Sequence, residues 1–405
     1  MTDKKEVFID AYNNFEIRPL SGQGLKDFYV ESFTKDSIEN IKTTIHITKS
    51  PTKSKILVIG HRGCGKSTIL NKVAEELEDK YHVVSFSASD VLNMMDVESL
   101  DILLTCYIQV LKSTGSLLND SIQDFKEVIE FLEDRIEIEG NPNLLEDVLF
   151  KLQVEVETRN EVRRQLKTEI GRIQHNLSKL CKEIQKSFNK RVLIIIDDLD
   201  KLATNIAKKV FFTEANILIM IEAQVLFTYP LHCYYHPSFI QLRDQFNDQF
   251  ISPVNLYDFK KEPQSQSFDD LKTLILKRID KNLIDEEALK HLIYSSGGLL
   301  RDLVKFMQDA CLKAFRKDVQ KIDKEITVGI INKHVNDYSR IFDFDQYQSK
   351  IETIHKTRAK DIDHDSLIYL LHYLFILEYR SQEILWYGVH PCLEKALQID
   401  GENYD

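Results

Sequence analysis

The stretch Gly60-His61-Arg62-Gly63-Cys64-Gly65-Lys66-Ser67 constrains this chain more than any other. It fits G-x-x-x-x-G-K-[ST], the Walker A pattern. Its glycines let the backbone turn N–H groups inward around an anion, and a helix beginning there adds the positive end of its dipole. Before it, KILVI at 55–59 is a short apolar run rich in β-branched residues, which predicts a buried strand. After it, residues 67–78 predict a helix. This order of strand, turn and helix predicts a nucleotide phosphate site formed by Gly60, Gly63, Cys64, Gly65, Lys66, Ser67 and Thr68. Lys66 is expected to reach the β- and γ-phosphates, and the Ser67 hydroxyl to ligate Mg2+.

HVVSFSASD (82–90), VLIII (192–196) and QVLFTY (224–229, stopped by Pro230) are further strand candidates. Strands alternating with helical segments predict an α/β fold with a parallel sheet covered on both faces. VLIII runs into Asp197-Asp198-Leu199-Asp200, a Walker B-like acidic strand end. A buried strand that delivers carboxylates at its carboxyl end puts them where a metal ion and an attacking water need them. Asp197 is expected to hold Mg2+, directly or through water, and Asp198 to polarise the water.

The rest of the chain divides by pattern. Residues 1–53 read as a polar lead-in with apolar positions at Phe28, Tyr29 and Val30. Segment 91–190 is an insertion without strand signal. In it Val162, Leu166, Ile170, Ile173, Leu177, Leu180, Ile184 and Phe188 predict one long amphipathic helix, packed as a hairpin or coiled coil. From Ser267 the pattern is all helical, with Ser267 and Asp270 spaced as a capping box. At the end, SLIYLLHYL predicts a helix and ILEYR–SQE–ILWYG a β-hairpin, a winged-helix-like arrangement. Three domains are expected: a core over 1–266 that includes the insertion, a helical lid over 267–338, and the terminal module over 339–405.

The loop and the acidic strand together resemble those of the AAA+ ATPases and the related STAND switch ATPases, nearest the origin-recognition-like AAA+ branch. The resemblance covers residues 25–90 and 190–338. It implies that Thr228, at the end of VLFT, contacts the γ-phosphate and water, and that Arg301, after Gly297 and Gly298, senses the γ-phosphate from the lid. It also implies an arginine acting on a neighbouring subunit's site, for which Arg243 is suitably placed. Two departures matter. Asp198 stands where the family often has glutamate, which points to slow hydrolysis, and the insertion is longer than a minimal core needs. ATP is favoured over GTP, because Asn332-Lys333 is followed by His334-Val335 and not by x-Asp. Ser295-Ser296-Gly297-Gly298 lies downstream of the acidic strand, which excludes an ABC-type signature.

Three functions follow from the resemblance. One is a nucleotide-gated switch or assembly partner, self-associating or docking a separate effector protein, as in prokaryotic defence or mobile-element systems. Another is an ATP-dependent nucleic-acid loader or a transposition or replication regulator. The last is an ATP-binding scaffold with negligible hydrolysis.

Charge bears on the second. The whole chain carries 53 Lys+Arg against 64 Asp+Glu, a net charge of −11. Residues 151–190 are locally basic, and a helix carrying Arg159, Arg163, Arg164, Lys167 and Arg172 could meet phosphates of nucleic acid or form a solvated face. Residues 340–405 are acidic. The six cysteines lack any CxxC pair, which suits reduced thiols and a cytoplasmic setting. The start, MTDKKEVFID, lacks a signal-peptide core, and the apolar stretch 215–231 is broken by Glu222, so no membrane span is expected. His232, Cys233 and His236 have zinc-like spacing but no fourth ligand, and read as a turn beside Pro237. Residues 28–31 are expected, by position, to line an adenine pocket.

Overall fold

The computed structural model describes residues 4–50, 54–115, 119–381 and 384–399. A five-stranded sheet contains β1 (Lys55–Gly60), β2 (Tyr81–Ser87), β3 (Arg191–Asp197), β4 (Gln224–Tyr229) and β5 (Asn247–Ile251) in the order β2-β3-β4-β1-β5. β1 pairs with β4, β4 with β3 and β3 with β2, all parallel. Every residue of β1 and β4 is buried, as expected for central strands covered on both faces. In register, Val58 faces Thr228 and Ser87 faces Asp197. The parallel pairing puts the carboxyl ends of β1, β3 and β4 on one side of the sheet.

The chain forms two compact units: Met1–Ser37, Gly60–Asn71 and Phe250–Asp405 in one, and Ile38–Ile59 and Lys72–Gln249 in the other. The first holds the glycine-lysine loop, the helices Ser265–Leu276, Glu286–Ser295, Leu300–Lys317 and Lys324–Ile341, and a terminal module. That module consists of helices Phe344–Thr357 and His364–His372, the antiparallel hairpin β6 (Ile376–Ser381) and β7 (Ile384–Val389), and helix Pro391–Leu397. Helix and hairpin lie where the sequence predicts them; the turn residues Gln382 and Glu383 lie outside the described residues. The second unit holds most of the sheet and the insertion.

Three expectations need correction. The amino-terminal segment is no polar lead-in. It forms helices Lys4–Asn14, Gln23–Phe28 and Lys35–Ile47. Phe8, Ala11 and Phe15 enter the same apolar core as Leu303, Phe306 and Met307 of the lid, and Ile38, Ile41 and Ile45 are buried. Both triplets follow the helical i, i+3, i+7 spacing, which sparse apolar content conceals. The single long helix of the insertion is two, Val156–Leu166 and Ile170–Phe188, broken at 167–169. There the Thr168 hydroxyl donates to the Gln165 carbonyl, a local bond that competes with the helical ladder. The capping box is absent from Ser267, because that helix already starts at Ser265 and Asp270 accepts from Gln266 Nε2. A capping box stands instead at Glu98 and Asp101, ahead of helix Ser99–Thr114.

Candidate functional site

In the first unit the loop after β1 takes a shape that glycine makes possible. Gly60 lies at φ 153°, and a Cβ there would come within 2.3 Å of the Ile251 carbonyl oxygen. Gly63 lies at φ 94°, and a Cβ there would meet Arg301 Cβ at 2.9 Å. Lys66 folds back over the loop: its Nζ donates to the carbonyls of Gly60 (3.0 Å) and His61 (2.9 Å), and it is only 5% exposed. The charge is thus held under the loop by neutral carbonyls, where a phosphate oxygen would be a stronger partner. Ser67 is half-buried at the start of helix Lys66–Leu77. Thr68 does something else: its hydroxyl accepts the Leu20 N–H at 3.1 Å, and Asn71 Nδ2 donates to the Leu20 carbonyl at 2.9 Å. These two bonds bring the segment before helix Gln23–Phe28 onto the phosphate-loop helix. No motif marks Leu20 in the sequence, since both of its bonds use backbone atoms.

The start of helix Leu300–Lys317 reaches the same loop. Arg301 N–H donates to the Gly63 carbonyl at 3.1 Å, while its side chain is exposed. Leu300 packs over Gly65. Phe28 lies under the Arg278 guanidinium, 4.8 Å from ring centroid to Cζ, and Lys277 Nζ donates to the Tyr29 carbonyl at 2.7 Å.

In the second unit the strand end of β3 presents Asp197, Asp198 and Asp200, whose carboxylate oxygens lie within 4.8 Å of one another. Among the described residues this is the group of His, Cys, Asp and Glu side chains able to hold a metal ion. All-oxygen donors suit a hard cation such as Mg2+. Asp198 sits at φ 69°, a conformation that aspartate tolerates better than most residues. Its backbone N–H donates to Asp197 Oδ1 at 2.7 Å. Asp198 Oδ2 accepts from Ser87 Oγ (2.9 Å) and Ser89 Oγ (2.6 Å), and Oδ1 pairs with Lys201 at 2.6 Å. Burial pushes its pKa up, but the bonds from Lys201, Ser89 and Ser87 outweigh this and hold it below the usual carboxylate value. Asp198 is therefore a fixed anion whose low proton affinity makes it a weak general base.

Thr228, at the carboxyl end of β4, is fully buried and its Oγ1 has no hydrogen-bond partner. A buried orphan hydroxyl is costly and calls for a water or ligand. Arg243 is exposed, just past helix Phe239–Leu242. His232 and Cys233 are buried, and His236 stacks on Phe212 at 5.0 Å and accepts the Ser238 N–H, so these residues build a turn.

The basic helix expected in 151–190 is divided between solvated and buried residues: Arg164, Lys167 and Arg172 are exposed. Arg159 and Arg163 are 2% and 6% exposed. Arg159 pairs with Asp96, and Arg163 with Asp96 and Asp101 at 2.5–2.9 Å. Arg164 pairs with Glu161, Lys167 with Glu98 and Arg172 with Glu127. Asp96, Glu98, Asp101 and Glu127, outside 151–190, thus pair with Arg159, Arg163, Lys167 and Arg172, while Arg164 pairs within the segment.

The sheet order, the phosphate loop between β1 and its helix, and the acidic end of β3 make this a P-loop NTPase fold. Residues 34–229, just under half of the chain, match the KAP family P-loop domain. Among solved structures the chain is similar to Cdc6p from Pyrobaculum aerophilum, with 13% identity, TM-score 0.42, and 92% of this chain and 97% of that one covered. It is similar to the ORC2 protein of Aeropyrum pernix in ADPNP and ADP complexes, with 10% identity, TM-score 0.46, and 95% and 97% covered. It is also similar to the Holliday junction branch migration motor RuvB of Thermotoga maritima, with 11% identity, TM-score 0.39, and 94% and 98% covered. No curated protein matches the chain. No helix among the described residues is long and apolar enough to cross a membrane.

Proposed function

We propose that the chain binds ATP with Mg2+ and hydrolyses it slowly, as a nucleotide-gated switch or assembly partner for another protein. The observation that carries this reading is the loop itself, a glycine cradle over a buried lysine whose Nζ donates to the loop carbonyls of Gly60 and His61. Gly60, Gly63, Cys64 and Gly65 would shape the phosphate cradle, and Lys66 would neutralise phosphate charge. Ser67 and Asp197 would supply oxygen ligands to the metal ion. Thr228 would spend its unpaired hydroxyl on the γ-phosphate or the water, and Arg301, an exposed residue whose side chain starts out against Gly63, would sense the γ-phosphate. Arg243 is proposed to act on a neighbouring copy's site, because it is exposed. Leu20 and Phe28–Val30 would border the base. Thr68 is proposed to hold the Leu20 segment rather than to touch phosphate.

Asp198 also supports the reading of an ATP-binding scaffold with negligible hydrolysis, since Ser87, Ser89 and Lys201 already engage both of its oxygens. Steady-state phosphate release discriminates between the two. Turnover below about 1 s⁻¹, the low end for enzymes, that falls further in Asp198→Asn supports a slow ATPase. Release no faster than in a Lys66→Ala control supports the scaffold. The nucleic-acid reading is weakened at the insertion, where Arg159 and Arg163 are buried in ion pairs.

A further inference from the structure

His61, inside the phosphate loop, is 1% exposed, and its Nε2 accepts the backbone N–H of Glu378 in β6 at 2.7 Å. Its own carbonyl accepts from Lys66 Nζ at 2.9 Å. One residue thus holds the lysine through its backbone and the terminal hairpin through its side chain. The hairpin touches the lid as well. Tyr379 Oη donates to the Gly297 carbonyl at 2.7 Å, just before helix Leu300–Lys317. His390, which follows β7, bonds Asp302 at 3.0 Å, next to the Arg301 whose N–H holds Gly63. Its other ring nitrogen accepts the Cys392 N–H, so Nε2 is the donor to Asp302. Further along β6, Arg380 N–H donates to Ser252 Oγ, and Asn255 donates to the Arg380 carbonyl.

We infer that the β6–β7 hairpin is coupled to nucleotide occupancy through His61, so that the terminal module reports on, and adjusts, the phosphate loop. This rests on the nucleotide-binding reading above. A phosphate oxygen competing with the Gly60 and His61 carbonyls for Lys66 shifts the His61 backbone, and its side chain cannot follow freely because β6 holds it. The bond to Glu378 needs Nε2 unprotonated. Burial, with the Lys66 charge second, pushes the His61 pKa down to about 3, so the contact persists through physiological pH. Nδ1 then carries the proton, and the Leu371 backbone acts against the lowering. Linkage makes the coupling reciprocal: whatever factor module docking contributes to nucleotide affinity, nucleotide contributes to docking.

Hydrogen exchange of the full chain, alone and with saturating ADP or a non-hydrolysable ATP analogue, tests this alongside calorimetric titration of the same nucleotides. Amide protection over 376–381 and 384–389 is expected to change by about fivefold or more on binding, the low end of measured couplings. His61→Ala removes the acceptor and should abolish that change, while His61→Gln, which offers an acceptor near the Nε2 position, should keep it. Nucleotide heat with unchanged hairpin protection in the wild type overturns the inference, and needs no variant to fold. Absence of nucleotide heat in the wild type overturns the nucleotide-binding reading first, and this one with it.

Discussion

Single residues in this chain are tuned by what surrounds them. Lys55 opens β1 fully buried, with Nζ donating to the carbonyls of Ile221 and Ala223. Burial lowers its pKa to about 7, well below its unfolded value near 10.4. Between those values the unfolded chain binds more protons, so stability from this site rises with pH from about 7 to about 10 and is lost as pH falls back through 7. The slope is at most about 1.4 kcal/mol per pH unit. Urea unfolding of wild type and Lys55→Met from pH 7 to 9 should show that rise only in the wild type; parallel curves would contradict it. Asp198 has the same sign of pH dependence, in the acid range. Its depressed pKa adds stability above the unfolded value near 3.9, lost as pH falls through the folded one. Replacing both Ser87 and Ser89 by Ala frees Asp198 Oδ2 and should raise phosphate release, because a carboxylate with fewer donors is a better base. An unchanged rate would detach those serines from turnover.

At the scale of elements, the legible parts of the sequence are those in which one segment carries its own signal. KILVI and VLIII are strands because continuous β-branched runs leave a buried strand as the economical outcome, and Gly60 to Ser67 is recognisable because backbone geometry dictates its residues. Helix Lys4–Asn14 was not legible. Its apolar face is Phe8 and Ala11, continued by Phe15, and what makes it a core element lies near residue 306. Phe8→Ala should destabilise the first unit by about 3–5 kcal/mol, the usual cost of emptying a buried phenylalanine site, read by chemical denaturation. A loss under about 1 kcal/mol would mean that the helix is peripheral.

The basic insertion misled for the same reason, since Asp96, Glu98 and Asp101 lie far from 151–190 in sequence. Asp101→Ala removes the buried partner of Arg163 and leaves it Asp96, and should cost about 1–3 kcal/mol. Reversing the exposed Arg164 should leave stability within about 0.5 kcal/mol. The candidate site shows the same limit: Lys66 and Asp197 stand in motifs, whereas the Leu20 backbone and the Ser87–Asp198 bond are long-range pairings that no spacing encodes.

At the scale of the whole molecule, the net charge of −11 conceals a locally basic segment, 151–190, whose cations pair with Asp96, Glu98, Asp101 and Glu127. The phosphate loop belongs, by its contacts, with the lid and terminal module, and the acidic strand end belongs with the sheet. A ligand that binds only the folded chain stabilises it by about 2.7 kcal/mol at a hundred times its Kd, so MgATP should raise the unfolding midpoint in proportion to the logarithm of its concentration. The most direct measurement is calorimetric titration of MgATP into wild type and Lys66→Ala. The account predicts one site per chain in the wild type and at least about tenfold weaker binding in the variant, the loss of one charge-assisted phosphate contact. Equal affinity in the two proteins would contradict it.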